Sequence, residues 1–65
     1  MTVYYLTATA AQLLWGDVRD PRGVLDTETP YTVTEVQATS LVPLYALEAY
    51  PGDWWNSACF EVTAP

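Results

Sequence analysis

The sequence predicts an all-β domain, a small barrel or sandwich of four or five short strands. Three observations carry that expectation. Short β-branched and aromatic segments recur along the chain, such as Val3-Tyr4-Tyr5-Leu6-Thr7 and Tyr31-Thr32-Val33-Thr34-Glu35-Val36. Turn-forming residues separate them at Asp20-Pro21-Arg22-Gly23 and Tyr50-Pro51-Gly52-Asp53. The chain has 65 residues, enough for one small domain, and shows no convincing long helix, internal repeat or low-complexity tract.

Val3–Thr7 is the first strand. Ala8–Trp15 is ambiguous. Ala8, Ala11 and Trp15 fall at helical spacing, with Thr7 or Thr9 as a cap and Gly16 as a stop. An extended segment running into a loop is the favoured reading. Gly16–Pro30 is a charged loop whose one apolar foothold is Val24-Leu25. In Tyr31–Val36, Tyr31 and Val33 share a face; the alternation slips at Glu35-Val36, where a β-bulge would restore it. Gln37–Ser40 is a polar turn. Leu41–Tyr50 is the next strand, with Leu41, Tyr45, Leu47 and Ala49 on one face. Pro43 has no N–H for a ladder, so this strand starts late or lies on an edge. After the Pro-Gly turn, Asn56-Ser57 caps a short helical turn before Phe60, and Glu61-Val62-Thr63 resumes strand.

Charge and composition exclude several functions. Eight Asp and Glu stand against two Arg, a net charge of −6. Phosphate backbones and anionic membranes both require clustered cations, so neither is an expected partner. With no His and no Lys, the commonest general base and Schiff-base chemistry are missing. Ser40, Ser57 and Cys59 therefore lack an activating base, and no enzyme is expected. Asp17, Asp20, Asp26 and Glu28 crowd one loop, but Arg19 and Arg22 sit among them. Local Asp–Arg pairing explains that loop better than a metal site, and no metal or cofactor is expected. The lone Cys59, between Ala58 and Phe60, reads as a buried structural thiol. Met1–Tyr5 carries no positive charge, so no signal peptide is expected; with no apolar run of membrane-spanning length, a cytoplasmic protein is.

Nine aromatic rings in so short a chain are the strongest functional signal. A small core absorbs about four or five, and the surplus is expected at the surface as a protein-binding face. Trp54, Tyr50, Asp53 and Trp15 are the candidate binding residues. Surplus aromatic area without staples also points to a homo-oligomer or an obligate complex.

The second half resembles small SH3-like β-barrel proteins encoded by bacteriophages and prophages. The resemblance runs over roughly residues 24–62. It rests on Tyr31-Thr32-Val33, Leu47-Glu48, and Trp54-Trp55-Asn56-Ser57-Ala58-Cys59-Phe60-Glu61-Val62. It implies an SH3-like barrel of four to five short antiparallel strands with one short helical turn. It also implies that Trp55, nearer the closing turn, is the core ring, leaving Trp54 outward beside Tyr50 and Asp53. Where those proteins usually carry basic residues, this chain has Cys59 and Glu61, so no nucleic-acid partner follows from the likeness. The expected function is that of a phage-type accessory protein in a bacterial host. It is expected to dock on a host protein through an aromatic surface with an acidic rim and to inhibit it. The alternatives are a virion or assembly component, located in the particle, an acidic DNA mimic, and a binder of proline-rich peptides.

Overall fold

The computed structural model describes residues 1–14 and 18–62. It is one antiparallel five-stranded sheet with little helix, and the expected all-β class is borne out. The strands are β1 (Thr2–Tyr5), β2 (Pro30–Gln37), β3 (Leu44–Leu47), β4 (Trp55–Asn56) and β5 (Phe60–Val62), in the spatial order β4-β3-β2-β1-β5.

That order dictates the shape. β4 and β5 lie at opposite edges of the sheet, yet only the 3₁₀ turn Ser57–Cys59 separates them. A flat sheet would hold its outermost strands about 19 Å apart at about 4.8 Å per neighbour. Three residues of 3₁₀ helix rise only about 6 Å. The sheet must therefore curl until its edges approach, although no ladder joins β4 to β5 among the described pairings.

The curl encloses the core: Val3, Tyr5, Leu25, Tyr31, Val33, Leu47, Trp55, Cys59 and Phe60. Tyr31 and Val33 share the inward face of β2, as their alternation requires. The bulge is present, but one step earlier than the pattern suggested. Val33 pairs with Leu47 and Glu35 with Ala46, leaving Thr34 as the extra residue. It does not return Val36 to the core, and that side chain stays exposed.

Two expectations are corrected. The segment expected to run extended holds a short helix, α1, over Ala10–Leu13. Thr9 is its N-cap, and a capping box closes with Gln12. The capping box outweighs the weak β-propensity of an alanine-rich run. Gly16 and Trp15 lie outside the described residues. The second correction concerns the Leu41–Tyr50 strand, which shrinks to Leu44–Leu47. Pro43 delays its start as argued, so Leu41 falls in the preceding turn and Ala49 beyond the strand, both exposed. Tyr45 and Leu47 remain on the inner side, against Phe60 and the main core, while Leu44 is buried outside that cluster.

The turns behave as their residues dictate. Gly23 and Gly52 both take positive φ (76° and 91°), where other side chains are strained. Leu25 is buried and Val24 half-buried, giving the charged loop its foothold. The Tyr31 hydroxyl accepts the Asp26 N–H at 2.8 Å and fixes that loop to the sheet. Among the described residues, no helix is long and apolar enough to cross a membrane.

Candidate functional site

The Pro-Gly turn leading into β4 brings three of the four candidate residues together. Tyr50, Asp53 and Trp54 occupy one rim, all half-buried, and Trp15 lies outside the described residues. The turn is closed by backbone bonds from Tyr50 N–H to the Leu47 carbonyl (3.2 Å) and from Asp53 N–H to the Tyr50 carbonyl (3.4 Å). Beneath the rim is Trp55, fully buried at 0% exposure, which takes the core role expected of it. The Tyr50 ring meets the Trp55 ring edge-on, with centroids 5.6 Å apart and planes at 68°. The Tyr50 hydroxyl reaches back to the Val24 carbonyl at 3.4 Å.

Arg19 completes the site, and sequence reasoning missed it. Its guanidinium donates to the Asp53 carboxylate at 2.6 Å. The guanidinium carbon lies 5.5 Å from the Trp55 ring centre and 5.7 Å from that of Tyr50. The Arg19 backbone N–H also donates to the Trp54 carbonyl at 2.8 Å. One arginine thus spans an acid and two aromatic rings, a cation–π arrangement reinforced by an ion pair. The interleaved charges of loop 16–30 favoured pairing inside the loop, and that is what Arg22 does. Its guanidinium grips Asp20 through three hydrogen bonds of 2.8–3.2 Å. This holds the Asp20 carboxyl below its usual range, first through the side-chain bond and then through the Arg22 backbone N–H. Arg19 instead crosses to a partner 34 residues away, which no local spacing announces.

The aromatic surplus is distributed differently from expectation. Tyr5, Tyr31, Trp55 and Phe60 are buried, while Tyr4, Tyr45, Tyr50 and Trp54 are half-buried. No described ring is fully exposed. Of the half-buried rings, Tyr45 and Tyr50 pack against the core, so what the aromatic surplus leaves at the surface is ring edges and not whole faces. The large exposed apolar side chains are aliphatic, led by Leu14 at 84% and Leu41 at 65%. The Trp55 Nε1–H is buried with no acceptor.

Electrostatically the surface is one-sided. Both arginines are ion-paired, while Asp26, Glu28, Glu35, Glu48 and Glu61 have no cationic partner among the described residues. No group of three or more metal-ligating side chains occurs among those residues. A crevice of about 230 Å³ lies between the start of β2 and the end of β3, lined by Thr29, Pro30, Tyr31, Thr32, Glu48 and Ala49. It falls below the range of about 300–1,000 Å³ usual for small-molecule sites and shares no lining residue with the rim. Cys59 is free and buried, with its thiol directed at the Gln12 side-chain oxygen at 3.6 Å. Burial, and secondarily the Asp20 charge, push its pKa up, away from a reactive thiolate.

Comparison with family models, with curated proteins and with solved structures finds no match.

Proposed function

We propose that this chain is a small protein-binding module, and not an enzyme, that docks through the rim formed by Tyr50, Asp53 and Trp54. The observation that carries this reading is that rim itself. The half-buried Tyr50 ring stands over the buried Trp55, beside the Asp53 carboxylate, and the next residue, Trp54, is half-buried too. A ring such as Tyr50 desolvates area at low entropic cost because the core already fixes its rotamer. The finer fold we propose is an SH3-like barrel. The strand order, the curl forced by Ser57–Cys59 and the tryptophan-bearing strand that leads into that turn all support it. On the resemblance to phage-encoded SH3-like proteins, the partner is a host protein and the docking inhibitory.

Affinity capture from a bacterial lysate, run in parallel with Trp54→Ala and Leu41→Ser, tests the site. A partner bound by the wild type and by Leu41→Ser, but lost with Trp54→Ala, supports it. Equal capture by all three places binding elsewhere.

A second reading has its own observation. Leu14 and Leu41 expose more apolar area than any described ring. An assembly component would bury them against copies of itself. Sedimentation and a concentration series of melting curves separate the two. A melting temperature that rises with protein concentration favours self-association; a concentration-independent monomer removes it.

A further inference from the structure

The slot between Asp53, Tyr50 and Trp55 is built for a guanidinium, and the chain fills it with its own Arg19. We infer that Arg19 is a stand-in, and that this slot receives an arginine side chain of a basic partner polypeptide, displacing Arg19 in exchange. The inference rests on the proposed docking rim and names the chemistry recognised there.

Three observations carry it. First, the slot discriminates by shape. A flat, weakly hydrated guanidinium lies on the aromatic faces and directs its N–H groups at the carboxylate, whereas a strongly hydrated ammonium is a point charge without that fit. Second, the Arg19–Asp53 ion pair is open to solvent. The Arg19 side chain is 43% exposed and that of Asp53 35%, so the pair is screened and exchangeable. Third, the chain has no cation to spare. Arg22 is committed to Asp20, and five described carboxylates have no cationic partner. Complementary charge must therefore come from outside, and it arrives beside a slot already shaped for arginine.

Occupation in cis sets a threshold. A tethered side chain competes at an effective concentration on the order of millimolar. The apparent affinity of an incoming arginine falls by the fraction of time the slot stands free. A single stray arginine gains little; a polycationic partner that also engages the unpaired carboxylates exceeds the threshold.

The test uses hexa-arginine and hexa-lysine peptides of equal charge, titrated against the full chain and read by tryptophan fluorescence or calorimetry. Arg19→Gln keeps much of the aliphatic stem and removes the guanidinium. If Arg19 fills the slot about 90% of the time, its removal tightens hexa-arginine binding by about tenfold. The accompanying change in net charge affects both peptides alike, so the ratio of their affinities is the readout. That ratio rises in Arg19→Gln and falls back when Asp53→Asn is added. Should Arg19→Gln fail to fold, Arg19→Lys keeps the charge, loses the stacking plane and shifts the ratio in the same direction. An unchanged ratio in the folded variant, or equal affinity for both peptides throughout, overturns the inference. If partner capture is nonetheless lost with Trp54→Ala, the docking rim stands and only its arginine chemistry fails. A shifted ratio with capture untouched by Trp54→Ala separates the two in the opposite sense.

Discussion

The side-chain amide of Asn56 donates to the backbone carbonyl of Gln12 at 2.9 Å, joining β4 to α1 across 44 positions of sequence. This bond matters because α1 has no buried residue of its own. Four residues are also far too few for a helix to persist on propensity alone. Its position is set by polar contacts. Asn56 holds the Gln12 carbonyl, and the Gln12 side chain accepts both the Thr9 N–H (2.9 Å) and the Cys59 thiol. Asn56 meanwhile caps the 3₁₀ turn, accepting the Ala58 N–H at 2.8 Å. One buried amide therefore fixes both short helical pieces.

Asn56→Ala removes both bonds from a side chain only 2% exposed. The expected cost is about 2–3 kcal/mol, from a lost cap together with an unsatisfied carbonyl. Asn56→Asp keeps the capping oxygen but turns a carboxylate toward the Gln12 carbonyl. Burial raises the pKa of that carboxyl, so its stability penalty is absent at low pH and grows as pH rises through the raised value. Urea melts of both variants at two pH values check the pattern; pH-independent Asn56→Asp would refute it.

Cys59 is expected to resist thiol reagents in the folded chain. It is fully buried, and its raised pKa keeps it protonated above the ordinary thiol range. Labelling near pH 8 should run at least about tenfold slower than in urea-unfolded chain, because attack waits on opening. The sign of the linkage follows. Stability from the protonated thiol is fully present below the unfolded-state pKa and is lost as pH climbs through the folded one. Rapid stoichiometric labelling of the native protein would contradict the burial.

The Asp20–Arg22 pair supplies a titration. Its carboxyl is held below the usual range chiefly by the Arg22 side-chain hydrogen bonds. Its contribution is present above the unfolded-state value and is lost as pH falls through the lowered one. In Arg22→Ala the midpoint of the Asp20 carboxyl, followed by carbon NMR, should move up. Because the pair is solvent-exposed, thermal stability at neutral pH should hardly change.

Local chemistry explains why much of the fold was legible. The Pro-Gly turns, the alternation at Tyr31-Thr32-Val33, the Val24-Leu25 foothold and the Asn56 cap depend on residues close in sequence. What escaped is non-local. Sequence spacing cannot show that Asn56 anchors Gln12 or that Arg19 crosses to Asp53. The same holds for Leu41, apolar in pattern but stranded by the late start that Pro43 imposes. Three of the four candidate site residues meet on one turn because that turn is itself local. Their cationic neighbour enters from a loop whose charges read as self-contained.

The tryptophan pair gives the sharpest test of how core and rim divide. Trp55 is sealed beneath Tyr50, paired in register with Tyr45, and part of the single core cluster. Emptying that volume in Trp55→Ala should cost about 3–5 kcal/mol, which approaches the whole stability of so small a domain. Trp55→Phe should cost less, since it keeps a ring in the core and removes the Nε1–H that lies buried without an acceptor. Trp54 precedes the strand, is half-buried, and engages Arg19 through its backbone carbonyl, which replacement of the side chain retains. Trp54→Ala should therefore leave the circular dichroism spectrum and melting curve close to wild type. Partner binding should weaken by about 2 kcal/mol or more if its ring is a hot spot. Unfolding by Trp54→Ala with Trp55→Ala still folded would reverse the division, and a folded Trp54→Ala that binds normally would move the interface off this rim.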